Sequence, residues 1–197
     1  RAGNRAIVFG AGLLQAPVDQ DLNGEKLAEP MILDVKWEEG LTFDGELAAF
    51  RKAVKLQLHD SVLQCDEMDV RLSEPLKFSD DDFDAKTVPL RDVNCRNGVN
   101  VEIYDWQENR IVGIRKARLT QFFLDYLSGG FQGDGPGKIN HWALRTGRRI
   151  AVANRQTAQA NTAVESDPLE WEHVSLEFDD LLLGNFKDRT AELHGRV

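Results

Sequence analysis

The chain has 197 residues, 42% of them apolar and 29% charged, an ordinary soluble composition long enough to bury a sizeable core in one large or two small domains. A net charge of −9 and a pI near 5.0 argue against a nucleic-acid partner, because a phosphate-tracking surface needs the opposite balance. No run of 18 apolar residues occurs, so no transmembrane segment is expected; the absent initiator Met and leader are what an array missing both ends would give.

Taken in chain order, Phe9-Gly10-Ala11-Gly12-Leu13-Leu14 comes first and is echoed at Phe131-Gln132-Gly133-Asp134-Gly135, 131 − 9 = 122 residues on. Trp37-Glu38 leads into Leu41-Thr42-Phe43-Asp44, and Trp171-Glu172 leads into Leu176-Glu177-Phe178-Asp179, an offset of 171 − 37 = 134. A motif met twice predicts a stacked or tandem architecture. Val54, Leu56 and Leu58 alternate with Lys55 and Gln57, although Leu47, Phe50, Val54 and Leu58 also fit one helical face. Met68, Val70 and Leu72, and then Val99, Val101 and Ile103, alternate with polar residues, the period of a sheet with one dry and one wet face. Over 117–128, Leu119, Phe122, Phe123, Tyr126 and Leu127 fit a helix as well as a strand, with Gly129 at the position of a C-cap. Turn residues punctuate the runs at Asn23-Gly24, Ser73-Glu74-Pro75, Asn97-Gly98, Ser128-Gly129-Gly130, Gly184-Asn185 and His194-Gly195. Many short strands between regular turns predict an all-β sandwich, barrel or roll.

Chemistry-bearing patterns are sparse. Asp80, Asp82 and Asp84 open like a calcium loop, but Ala85 and Arg91 stand where the loop needs Gly and Glu, so the segment reads as a hydrated acidic loop and no metal is expected. The stretch 148–167 reads as an irregular excursion, and Arg145, Arg148 and Arg149 as a solvated turn. Cys65 and Cys95 sit in matching strand contexts about thirty residues apart; buried free thiols and a cross-rung disulfide are both open. His59, His141, His173 and His194 are scattered, with no HExxH and no GxSxG motif. The Gly133, Gly135 and Gly137 run contains Pro136 and leads into no convincing helix, which disfavours a phosphate cradle and hence a nucleotide cofactor. Adjacent carboxylates such as Glu38/Glu39 and Asp179/Asp180 point to opposite faces of a strand and cannot act together as acid and base. Trp106 and Trp142 suit either a β core or a sugar-stacking platform.

The segment Leu63-x-Cys65-Asp66-x-Met68-x-Val70-x-Leu72 resembles the repeat of the OstA-like family, the periplasmic lipopolysaccharide-transport bridge proteins. In that family such a strand alternates with one ending in G-x-V, as at Gly98-Val99 and Gly195-Arg196-Val197. Leu124-Asp125-Tyr126-Leu127-Ser128-Gly129 running into Phe131-Gln132-Gly133 is similar to the family's hairpin. The resemblance covers roughly 41–139, and the departures at 79–88, Gly135-Pro136-Gly137 and 148–167 point to a larger, multi-unit relative. It implies a β-jelly-roll of the taco kind: stacked antiparallel strands forming a V-shaped two-sheet roll, with 117–128 as strand. It implies the tail of one unit at 1–36, a β-roll unit at 37–147, an insert or linker at 148–170 and the start of the next unit at 171–197, or one continuous roll.

The implied function is non-enzymatic and free of cofactors. An apolar trough shields the acyl chains of a lipopolysaccharide-like lipid, while like units join edge to edge within the periplasm or cell envelope. The trough candidates are Phe43, Phe50, Val54, Leu63, Met68, Val70, Val99, Val101, Ile103, Phe123 and Phe178. Two other readings stand beside this one: a ligand-free scaffold of tandem units, and a carbohydrate-active β enzyme. An open apolar groove favours the first, a filled core the second, and a walled cleft with two carboxylates and a Trp the third.

Overall fold

The computed structural model describes residues 5–21, 26–76, 90–146 and 169–196. Within them every regular element is a strand: β1 (Ala6–Phe9), β2 (Gly12–Gln20), β3 (Lys26–Trp37), β4 (Gly40–Phe43), β5 (Leu47–Leu58), β6 (Ser61–Leu72), β7 (Leu90–Gln107), β8 (Arg110–Asp125), β9 (Gly130–Asp134), β10 (Gly137–Thr146), β11 (Leu169–Phe178), β12 (Leu181–Asn185) and β13 (Thr190–His194). They form one antiparallel sheet. The expected unit boundary at 36/37 falls inside β3, and strands on both sides of it share that sheet.

A line of irregularities crosses this sheet from edge to edge. β1 pairs with β4 and β2 with β3, so β1 and β2 are one long strand interrupted at Gly10-Ala11. β3 and β4 both pair with β5 and are likewise interrupted at Glu38-Glu39. β9 with β10, and β11 with β12, repeat the arrangement, with breaks at Gly135-Pro136 and Asp179-Asp180. In the uninterrupted strands the register slips at the same level, between Arg51 and Val54, between Gln64 and Glu67, and between Arg96 and Val99. Extra residues in one strand bend it and raise its twist. Aligned in every strand, they become a crease.

The crease divides the sheet in two. Half-sheet I holds β1, β4, residues 47–51, 67–72, 90–96 and 121–125, then β9, β12 and β13; half-sheet II holds β2, β3, residues 54–58, 61–64, 99–107 and 110–119, then β10 and β11. The V-shaped roll follows, because the dry faces of the halves meet in one core. That core joins Phe50, Met68, Val70, Val93, Cys95 and Leu124 of half-sheet I to Leu33, Val35, Leu56, Leu58, Leu63 and Val99 of half-sheet II. Tyr126, just beyond β8, is buried with Asp21, at the far end of β2, close enough to push its hydroxyl up after burial has done so. Side chains of this size each stabilise the fold by about 1.5–3 kcal/mol on burial.

Both helical alternatives give way to strand. Residues 47–58 are β5, and 117–125 belong to β8, with a turn over 126–128. The aligned tryptophans are not equivalent: Trp37 is 5% exposed beside the crease, whereas Trp171 is 47% exposed and far from it. The residue matching Trp37 is Phe178. Trp37 faces Gly12 across the ladder as Phe178 faces Gly137, and Gly10 N–H donates to Glu39 O as Gly135 N–H donates to Asp180 O (2.7 and 2.6 Å).

Candidate functional site

Period-two alternation sends one side of every strand inward, and most of the trough candidates lie there. Phe50, Val54, Leu63, Met68, Val70, Val99 and Phe178 are buried; Phe43 and Val101 are half-buried against the core, and Ile103 is half-buried further out. Phe123 is a correction. It follows Phe122, and neighbours in a strand point to opposite faces; Phe122 packs inward against Phe131, with ring centroids 6.4 Å apart, and Phe123 stands 38% exposed on the outer face.

The inward residues do not bound an empty trough over most of its length. Met68 and Cys95 are fully enclosed, and the two inner faces interdigitate from β3 to β8. Among the described residues the interior opens towards β10 and β11, where Ile139 is half-buried and Val174 and Leu176 are exposed, and at the other end beside β1 and β2, where inward Val8 and Leu14 are exposed. Charge enters the same inner face further out. Arg115 Nη2 donates to Asp105 Oδ1 at 2.7 Å, the Arg115 Nε is buried with no partner among the described residues, and His141 lies directly opposite Arg115 in the ladder.

Among the described residues, two edges are uncovered. The β1–β2 edge exposes Ile7, Val8, Phe9, Leu13 and Leu14, a run of apolar side chains beside unpaired strand backbone. At the other end, β11 exposes Leu169, Trp171, Val174 and Leu176. Edges of this kind invite pairing with another chain unless charge or proline blunts them.

The outer face of half-sheet I is ionic. Arg51 Nη1 and Arg96 Nη2 each donate to Asp69 at 2.8 Å, and Arg96 reaches Glu67 at 3.2 Å. Burial opposes ionisation of Asp69, but these hydrogen bonds outweigh it and hold its carboxyl below the usual range. Next to this network is a depression of about 430 Å³ lined by Leu47, Asp69, Arg71, Arg91, Asp92, Asn94, Phe123, Asp125 and Leu127. Asp92 and Asp125 are direct cross-strand neighbours in it. Burial pushes the Asp92 carboxyl up, against the pull of Arg71 and Arg91. Adjacent-carboxylate reasoning could not find this pair, whose members are 33 residues apart (125 − 92) and meet only through the ladder.

Neither tryptophan of the suggested sugar platform belongs to the core. Trp142 stacks on His173 with centroids 4.6 Å apart on the outer face of half-sheet II, and Trp106 is exposed near the β7–β8 turn. Cys65 and Cys95 are buried free thiols. Their mutual hydrogen bond, and then burial, push the Cys95 thiol well up. Among the described residues no group of three His, Cys, Asp or Glu side chains is placed to hold a metal, and no helix is long and apolar enough to cross a membrane. The Asp80, Asp82 and Asp84 triplet and the 148–167 stretch lie outside the described residues. No family model, curated protein or solved structure matches the chain.

Proposed function

We propose that this chain is a non-enzymatic β-roll module that joins like modules through its sheet edges. The observation that carries the reading is the β1–β2 edge, where Ile7, Val8, Phe9, Leu13 and Leu14 are exposed on either side of the Gly10-Ala11 break. β2 also holds Pro17, a residue that sheets keep on edge strands and that blunts pairing where it stands, so the joining surface is β1 and the first residues of β2. A filled interior between β3 and β8 favours this scaffold over a through-running lipid conduit, because a packed core has no room for an acyl chain. Placement in a cell envelope goes with the proposal through the OstA-like resemblance. Sedimentation velocity across a concentration series tests it. The chain should self-associate, and Ile7→Lys with Leu13→Lys, both on the outer side of the edge, should return it to monomer. A native chain that stays monomeric at every concentration, alone and mixed with like modules, overturns the reading.

One observation favours a second role, binding an amphipathic lipid of the lipopolysaccharide type at the β10–β11 end of the interior. Val174 and Leu176 face inward yet are exposed, and Leu176 lies beside half-buried Ile139. Covering such a strip with an acyl chain gains about 25 cal/mol per Å² of apolar surface. Native mass spectrometry with added lipopolysaccharide should then give a stoichiometric adduct that Val174→Asp abolishes, and an unchanged apo mass removes this role.

A further inference from the structure

We propose that the depression on the outer face of half-sheet I is a binding site for an uncharged pyranose saccharide, with Phe123 stacking on the ring and Asn94, Asp92, Arg71 and Arg91 bonding its hydroxyls. Two cross-strand rows build the floor: Arg71, Asp92 and Asp125 in one, Asp69, Asn94 and Phe123 in the other. Leu47 at the start of β5 and Leu127 in the turn after β8 flank them. At about 430 Å³ the volume is within the ~300–1,000 Å³ typical of small-molecule sites.

The groups divide into those already committed and those free to bind. Asp69 is occupied by Arg51 and Arg96. Asp125 is occupied by the turn, accepting from Leu127 N–H and Ser128 Oγ at 2.8 Å each. The remaining contacts are loose. Arg71 Nη1 and Arg91 Nε each stop 3.7 Å from Asp92 Oδ2, beyond hydrogen-bond range, so both guanidinium groups keep donors to spare. Asn94 makes no side-chain hydrogen bond among the described residues and offers both a donor and an acceptor. Phe123 shows an exposed ring at one end of this polar floor, next to Asn94 in its row. An aromatic ring beside acceptors, donors and an amide suits a sugar. The polarised C–H bonds of a pyranose face meet the negative face of the phenyl ring, and its vicinal hydroxyls both give and take hydrogen bonds.

Other ligand classes fit less well. An anion would meet three carboxylates, Asp69, Asp92 and Asp125, against two arginines. A metal finds no group of three ligating side chains among the described residues. An acyl chain would leave the charges of the depression desolvated and unpaired, which is costly.

Saturation-transfer NMR on the whole chain with glucose, galactose, mannose, N-acetylglucosamine and their disaccharides tests the site, followed by calorimetric titration of the best binder. Transfer to at least one pyranose is expected. Phe123→Ala should weaken it about fivefold to tenfold, the loss of one aromatic stacking contact, Asn94→Ala about fivefold, and Phe123→Trp should retain it. Phe123 already faces solvent, so its removal leaves the core intact, and an unchanged thermal melt verifies that. No transfer to any sugar, or transfer indifferent to Phe123→Ala, overturns the proposal. A parallel titration with the acyl-free core oligosaccharide of lipopolysaccharide separates a glycolipid source from free saccharide. Either outcome is read at Phe123, remote from the edges and the interior used in the proposed function.

Discussion

Replacing Gly12 with Ala sets local propensity against the packing of the crease. In the middle of a strand, Ala is favoured over Gly by about 0.5–1 kcal/mol, so propensity alone predicts a more stable protein. The structure predicts the reverse. A Cβ on Gly12 would lie 2.8 Å from Trp37 Cε2 and 2.9 Å from Cη2, and closer still to Cζ2. Trp37 has little freedom to yield, since it is buried, leans on Phe50 at a centroid distance of 5.4 Å, and donates from Nε1 to Gly10 O at 3.0 Å. Overpacking of this kind costs about 1–3 kcal/mol, and a lost hydrogen bond about 1 kcal/mol. After the propensity gain is offset, Gly12→Ala should destabilise by about 2 kcal/mol. Urea unfolding followed by far-UV circular dichroism should show a lower midpoint with an unchanged slope. Trp37→Phe removes the atoms that clash, so the double mutant should be more stable than the sum of the singles by about 1 kcal/mol or more. A Gly12→Ala protein at least as stable as the native one, or strictly additive singles, would refute the crease packing.

Two carboxylates on half-sheet I, Asp69 and Asp92, should respond to acid with opposite sign. Asp69, with a depressed folded pKa, contributes stability above its unfolded pKa of about 3.9 that is lost as pH falls through the folded value, so Asp69→Asn should destabilise at pH 7 and converge on the native protein in acid. Asp92 has a raised folded pKa, so its charge opposes folding at neutral pH; Asp92→Asn should stabilise at pH 7, and urea midpoints should show that gain vanish below about pH 4. The only two tyrosines are both held protonated, Tyr104 by its 2.7 Å hydrogen bond to Glu102 and Tyr126 by burial. Tyrosinate absorbance should therefore stay absent in the folded chain as pH passes about 10, the ordinary value, and rise together with loss of the β-sheet signal. Cys95 should resist iodoacetamide at pH 8 in the native state and react at once in denaturant; fast native alkylation of Cys95, read by peptide mass, would contradict its burial.

The bulges of the crease explain why part of the fold was hard to read from sequence. Strict alternation in Val99, Val101 and Ile103 marks β7 correctly. At the crease the inward series steps by three or four residues, from Phe50 to Val54, Cys65 to Met68, Cys95 to Val99 and Leu119 to Phe122. Those are the spacings of a helical face, so β5 and β8 mimic helices at the points where they bend. The Phe122-Phe123 pair hides which residue faces inward until the parity change beside Thr120 is known. Residue identity matches Trp171 to Trp37, whereas position at the crease matches Phe178, because an aromatic facing a glycine is the geometry the two places share. The depression escapes notice because its rows assemble residues from β6, β7 and β8 that share no local motif.

Among the described residues, every long strand pairs only with those before and after it in the chain. Stability in such an array passes from neighbour to neighbour, much as in stacked-repeat proteins, and local opening is cheapest where few apolar side chains are enclosed. The enclosed residues concentrate between β3 and β8, while nine of the ten residues of β11 are exposed. Fraying should therefore begin at the β11 end and run inward like an unzipping seam, with the Phe178–Gly137 contact as the first knot it has to undo.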